Sequence, residues 1–457
     1  MTTPTDMLVD ARTGVVTSLL PYSRPDLPSG WVGCSARVSD TRRLPADATQ
    51  SFRADPYGFG AALVDEDAAA GAALGEAVER YCGNVVPDSL PISTARGWTE
   101  RGHAVINPDD LALYSEAQYA QPGFPFREFT VDTPTRWVTG RRLTDLQPVW
   151  MPAPLTYLGY HTGNRRADVP IAAVQYAGIA AGRTREEAEW SGLLELVERD
   201  ATALWWTRGL PSWDVTGTSL PRIARHLADP ESSTRTVRIL ALPSPFSVPV
   251  AAVLVHDRAR DIIAFGTACR PTLAAAAEKA TVEAFAVCAI TMDLADADGP
   301  TWRAVADGVL PGHLYKPFRA DRRYRLDYAP PWRDVLDLPT VAQLYLDPEI
   351  QSSLLEFVED TIESTEPDIG PDTAVTRSEL LDRLGDHSPV SAELTTSDVA
   401  AAGLHVVRVI APGLYNNSPA AFPLLGGDRL DRVPAECGWT TTRPRPEASL
   451  PLPVPLA

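Results

Sequence analysis

Three stretches of the chain share one alternation of apolar and polar positions. Each opens with a short apolar run that ends in small residues. A turn residue follows, and then a long segment with the apolar spacing of a helix. In the first, residues 58–64 lead through Asp65 into DAAAGAALGEAVERY. That segment is alanine-rich and strongly helical, with Asp65 as a plausible N-cap and Leu74 and Val78 as an i,i+4 apolar pair. In the second, VPIAAVQYAGIAAG at 169–182 reads as one buried strand. Thr184 and Glu187 then form a capping box for a helix that runs through LLELVERDA towards Trp206. In the third, residues 248–256 and 262–268 read as paired strands about the turn at 257–261. Thr272 then caps a helix, TLAAAAEKATVEAFAVCAI.

The three units match in depth as well as kind. Asp65 to Glu76, Thr184 to Glu195 and Thr272 to Glu283 are each eleven residues. Two of the helices also share L-x-E-x-V-E-R, which sets Glu76, Glu79 and Arg80 beside Glu195, Glu198 and Arg199. Residues three or four apart on a helix share a face. Two carboxylates so placed repel one another unless a cation sits between them. One such pair is usually a solvated helix face, but three units with matched offsets point to a common site. The third lacks the second acid and the arginine, having Ala286 and Val287 there, and it carries Lys279 one turn before Glu283.

Elsewhere the pattern is weaker. Residues 1–57 read as turns and short strands, and 85–168 as a Pro-, Trp- and Tyr-rich stretch in which only short strands such as 149–151 can be placed. Helices are expected at 377–384 and around 354–363, a short capped helix after 395–398, and a strand at 405–410. The end, RPRPEASLPLPVPLA, alternates prolines and is expected to be extended. These segments divide into an N-terminal part of the core at 1–57, a catalytic domain at 58–430 with an uncertain insertion at about 85–168, and a proline-rich tail at 431–457.

Composition narrows the chemistry. A length of 457 residues leaves ample room for a core. A net charge of −18 argues against nucleic acid as a partner. The five cysteines include no C-x-x-C pair, so neither a zinc ribbon nor a disulfide framework is expected. No signal peptide or membrane-spanning run is read, and the expected location is the cytoplasm. Clustered carboxylates without Cys or His favour Mg²⁺, which shares its shell with phosphate oxygens. Arg80, Arg199 and Lys279 would then neutralise those phosphates. There is no Walker A motif, so such a site is not a P-loop.

With these residues in hand, the chain resembles the YcaO family of ATP-dependent amide-activating enzymes. The likeness spans most of residues 55–430. It is carried by GFGAALVDEDAAAGAALGEAVERY, AGIAAGRTREEAEWSGLLELVERDA, RPTLAAAAEKATVEAF, TTSDVAAAGLHVVRVIAPGL and FPLLGGDRL. The resemblance implies an α/β YcaO-type fold, with mixed sheets, packed helices and internal strand–turn–helix pseudo-repeats. It implies ATP and Mg²⁺ as cofactors, with Glu76, Glu79, Glu195 and Glu198 as magnesium ligands and Arg199, Lys279 and Glu283 at the nucleotide. Pro451, Pro453 and Pro455 resemble the P-x-P-x-P tail of azoline-forming cyclodehydratases, a tail expected to reach the active site and assist proton transfer. In those enzymes a Cys, Ser or Thr side chain of a ribosomally made precursor peptide attacks the preceding carbonyl. The amide oxygen is phosphorylated and leaves as phosphate, giving thiazoline or (methyl)oxazoline. The expected partners are that precursor peptide and a separate leader-binding, E1-like protein, with a homodimer left open. Thioamide or amidine formation, and a non-catalytic peptide- or partner-binding scaffold, stand as alternatives.

Overall fold

The computed structural model describes residues 3–39, 57–227, 233–310, 312–328, 330, 332–364, 374–444 and 452–455. The three matched units become three strand–helix pairs. Strand β3 (Tyr57–Leu63) leads into helix α1 (Glu66–Asn84), β7 (Ile179–Gly182) into α2 (Arg185–Arg208), and β11 (Ile262–Cys269) into α3 (Leu273–Ala295). The N-caps are as expected, but the capping box at Thr184 is not completed, because the Glu187 carboxylate accepts from the Arg183 N–H at 2.9 Å and not from that of Thr184. Asp65, Thr184 and Thr272 each accept a backbone N–H from three residues on, at Ala68, Glu187 and Ala275.

Each pair is built into its own sheet. The first runs β1 (Val16–Tyr22), β2 (Trp31–Val38), β3. A second runs β11, β10 (Val250–Asp257), β9 (Arg235–Leu242), β8 (Trp213–Asp214). The central one runs β4 (Ile92–Ser93), β5 (Thr135–Arg142), β12 (Val390–Glu393), β13 (His405–Ile410), β7, with β6 (Pro148–Pro152) also on β5. Every pairing between these strands is antiparallel.

Each long helix packs on its own sheet and on the next. Helix α1 lies on β3 and also on β7; α2 lies on β7 and also on β11; α3 lies on β11 and also on β3. Sheets and helices therefore alternate around a closed ring. The strands that meet the following helix, β3, β7 and β11, are each the last strand of their sheet. Glycines permit the close approach. A Cβ on Gly60 would stand 2.2 Å from the Ala73 nitrogen, and one on Gly266 2.4 Å from that of Ala284.

Two expectations are amended. The run read as one strand over 169–182 is strand only at Ile179–Gly182. Upstream of it, side chains rather than a ladder take the carbonyls of Gln175, Tyr176 and Ala177. The unplaced stretch 85–168 supplies β4, β5 and β6 to the central sheet. Four cysteines are buried, Cys437 is exposed, and none is paired. No helix among the described residues is long and apolar enough to cross a membrane.

Candidate active site: an acidic cleft where three sheet edges meet

An edge strand leaves N–H groups without a ladder partner. Here glutamates take them. The Phe59 N–H donates to Glu76 Oε2 at 2.8 Å, and the Gly178 N–H to Glu195 Oε2 at 2.9 Å, each across 17 residues of the same unit. The second acids reach across to the next unit. Glu79 Oε1 accepts from the Ala181 N–H at 2.7 Å, and Glu198 Oε2 from the Cys269 N–H at 3.1 Å. Ala181 and Cys269 are equivalent, each fourteen residues before the first glutamate of its own helix. Glu198 Oε1 also accepts from Thr267 Oγ1 at 2.7 Å. The third junction, α3 on β3, has Ala286 where the crossing acid would stand.

The cations lie among these acids. Arg80 pairs with Glu76 at 3.0 Å and lies over the Tyr176 ring at 4.6 Å. Arg199 meets Glu198 at 3.1 Å and Glu195 at 3.9 Å, and Lys279 pairs with Glu283. These groups sit deep among protein atoms yet keep part of their side-chain surface open. Side-chain exposure is 31% for Glu195 and 42% for Glu283.

The charges shift one another. Burial raises Glu79 to about 8; the Ala181 N–H opposes this and the Glu195 charge adds to it. Burial also raises Glu195, against Arg199 and the Gly178 N–H. Burial alone would raise Glu283, but Lys279 and Arg199 outweigh it and its carboxyl is lowered. Burial works against charge on Arg199, yet Glu198, Glu195 and Glu283 together raise it.

A deep carboxylate pair strained by burial and mutual repulsion, rimmed by Arg and Lys, suits a hydrated divalent cation carrying phosphates. Among the described residues no three acidic, cysteine or histidine groups form a metal cage of their own. Mg²⁺ that completes its shell with water and phosphate needs only one or two carboxylates. The donor set therefore fits the ion. The buried Arg199 Nε has no hydrogen-bond partner, which leaves a further donor on that guanidinium.

The proline tail is docked. Trp206 Nε1 donates to the Leu452 carbonyl at 2.6 Å, and the Tyr345 hydroxyl to the Pro453 carbonyl at 2.7 Å. Pro453 and Pro455 are buried. Proline has only a carbonyl to offer, and these two donors use what the segment presents. Pro451 lies outside the described residues. Trp206 is seven residues beyond Arg199, two turns along the same helix face and about 10 Å away.

Sequence reasoning missed Arg408, Asn416, Asn417 and Thr267. Only Arg408 left a signal, a charge inside the apolar run HVVRVI. It is 1% exposed, and burial pushes its guanidinium down to about 9, with Glu195 opposing.

Such a cluster, in an α/β fold of antiparallel sheets, has a donor set suited to a metal ion and a nucleotide without a P-loop. The family model described as YcaO cyclodehydratase, ATP- and Mg²⁺-binding, matches residues 60–415, and the chain belongs to the YcaO family. A solved heterocyclase in complex with substrate and cofactor superposes with a TM-score of 0.67 at 21% identity, over 100% of this chain and 57% of that one. YcaO from Methanopyrus kandleri bound with AMPPCP and Mg²⁺ gives 0.52 at 19% identity, over 88% of this chain and 86% of that one. An uncharacterized protein in the tfuA 3′ region of Rhizobium leguminosarum bv. trifolii is 30% identical over 141 residues, 31% of this chain and 30% of its own length. The chain thus spans under a third of the curated relative and under two thirds of the first of these structures.

The raised Glu79 carboxyl makes a prediction. Its value of about 8 lies above an ordinary glutamate, so the folded state holds this proton up to about pH 8 and loses stability as pH rises from the ordinary glutamate range towards that value. A bound cation favours the carboxylate. Binding of a magnesium nucleotide at pH 7 is therefore expected to release roughly one proton and to tighten with pH up to about 8. Calorimetry in two buffers of different ionisation enthalpy measures the release; no proton released would contradict the assignment of Glu79.

Proposed function

We propose that the chain is the ATP-dependent cyclodehydratase component that converts Cys, Ser or Thr of a ribosomal precursor peptide to thiazoline or (methyl)oxazoline. The observation that carries this reading is the crossing of glutamates between the three units, in which Glu79 and Glu198 each close one sheet edge around the cleft. In this reading Glu76, Glu79, Glu195 and Glu198 hold Mg²⁺. Arg80, Arg199, Lys279 and Glu283 orient the nucleotide, which supplies the phosphoryl group when bound. The substrate side chain gives up its S–H or O–H proton and adds to the preceding carbonyl carbon, the resulting oxyanion takes the phosphoryl group and leaves ADP, and the oxygen then departs as phosphate while the amide nitrogen loses its proton to leave C=N. Fixed cations stabilise charge that develops on the transferred group. A separate partner protein delivers the peptide. The test mixes the chain, that partner, ATP, Mg²⁺ and a Cys/Ser/Thr-containing precursor. One water's mass lost per phosphate released supports the reading; ATP consumed with no loss of mass from the peptide refutes it.

The docked tail, with Pro453 and Pro455, favours azoline formation over thioamide or amidine formation. Deleting the chain from Leu452 onward is expected to lower kcat roughly a hundredfold, the size of a lost proton-transfer contribution. Nucleotide affinity should change little. Steady-state phosphate release set beside calorimetric affinity separates the two effects. Undiminished kcat would remove Pro453 and Pro455 from the mechanism.

A further inference from the structure

The turn at residues 175–178 presents the N–H that holds Glu195, and it belongs to no ladder. Its four carbonyls are nonetheless all occupied. Arg408 donates to those of Gln175, Tyr176 and Ala177, Asn416 Nδ2 donates to that of Ala177 at 3.0 Å, and the Val409 N–H to that of Gly178 at 2.6 Å. The Ala177 N–H donates to Asn417 Oδ1 at 3.0 Å. Gly178 itself is bent to φ +91°, and a Cβ there would stand 2.4 Å from the Val409 carbonyl oxygen. A segment so placed keeps its shape only while the surroundings hold it.

Behind the turn lies a cavity of about 20 Å³, walled by Leu155, Leu196, Leu414 and Leu424. Two buried polar atoms without a hydrogen-bond partner, Gln175 Nε2 and Asn416 Oδ1, belong to residues of its lining. One is a donor and the other an acceptor. A single water can accept from the first and donate to the second, and the volume admits about one.

We propose that Asn416 and Asn417 are positioning residues. With Arg408 and one ordered water between Gln175 Nε2 and Asn416 Oδ1, they fix the 175–178 turn so that the Gly178 N–H aims Glu195 into the cleft. This rests on the reading of the cleft as a magnesium–nucleotide site. Neither asparagine touches the reacting atoms; both act through the backbone of the turn.

The experiment uses the full chain with Asn417→Leu and Asn417→Asp. Aspartate keeps the acceptor oxygen for the Ala177 N–H; leucine does not. Amide hydrogen exchange is read at Ala177 and Gly178 without nucleotide, and affinity is read with Mg²⁺ and a non-hydrolysable ATP analogue. Leucine is expected to speed exchange at both amides about tenfold and weaken the analogue about tenfold, the effect of one lost hydrogen bond. Aspartate should restore both, with similar unfolding midpoints throughout. Unchanged exchange in the leucine variant overturns the clamp. Faster exchange with unchanged affinity, or aspartate no better than leucine, overturns the positioning role. A parent chain that fails to bind the analogue overturns the reading of the cleft and the positioning role with it; it is told apart because the exchange contrast between the two variants persists. Should the leucine variant not fold, Asn416→Leu, which removes one of the two donors to the Ala177 carbonyl and the acceptor for the water, is read the same way. A high-resolution crystal structure without a water between Gln175 and Asn416 overturns the cavity's part.

Discussion

Converting Glu195 and Glu198 together to glutamine is expected to lower ATP-dependent turnover by at least about a thousandfold in a chain that still folds. The substitution separates the two duties of these side chains. As hydrogen-bond acceptors they close sheet edges at Gly178 and Cys269. A glutamine keeps one carbonyl oxygen for each of those amides. As charges they balance Arg199 and, in the proposed reading, would hold the ion, and glutamine provides no charge. Magnesium–nucleotide affinity should fall with the rate, because the loss lies in binding the ion as well as in stabilising the transferred group. Phosphate release under saturating peptide gives the rate, and thermal unfolding checks the fold. A double variant that releases phosphate at the parent rate would remove both residues from the site. One that unfolds would show the edge-closing role to depend on charge; Glu79→Gln, which leaves the Arg199 pairs intact and keeps an acceptor for the Ala181 N–H, then tests the ion site.

Much of this arrangement is visible in the linear chain because each unit is local. Asp65, Thr184 and Thr272 start the helices, and the eleven-residue offsets set Glu76, Glu195 and Glu283 at one depth. The bonds within a unit, such as Gly178 to Glu195, span 17 residues. The crossing bonds are another matter. Glu79 to Ala181 spans 102 residues and Glu198 to Cys269 spans 71, and no local pattern encodes them. Their existence follows from ring closure, which is a property of the sheets. The stretch 169–178 was misread for a related reason. Its apolar alternation is that of a strand, but Arg408 comes from 231 residues away to take the Ala177 carbonyl. Likewise β5, TRWVTGRR, carries too few apolar residues to stand out, and it finds its place in the central sheet against β12, far along the chain.

Helix α2 shows the same limit within a single turn. Asp200 follows Glu198 by two residues in LLELVERDA, and only the repeat, which has Glu79 in place of Glu198 and Tyr81 in place of Asp200, separates the two acids in the sequence. Two residues along a helix turn a side chain about 200° away, so Asp200 faces from the cleft into the core. There it accepts from Arg429 Nε at 2.6 Å and Nη2 at 2.5 Å and from the Tyr415 N–H at 3.0 Å, with side-chain exposures of 0% for Asp200 and 3% for Arg429. Asp200→Ala is therefore expected to cost about 3–5 kcal/mol, because it leaves a guanidinium buried without its counter-charge. Chemical denaturation of the parent and the variant measures the cost. Replacing both partners, Asp200→Leu with Arg429→Met, should recover most of it, since removing both charges also removes the desolvation penalty. The recovery separates a paired charge from a merely well-packed side chain: a packing defect at Asp200 would grow with the second substitution, whereas an orphaned charge is cured by it. A single variant as stable as the parent would deny that the Asp200–Arg429 pair anchors the back of the helix whose front carries Glu195, Glu198 and Arg199.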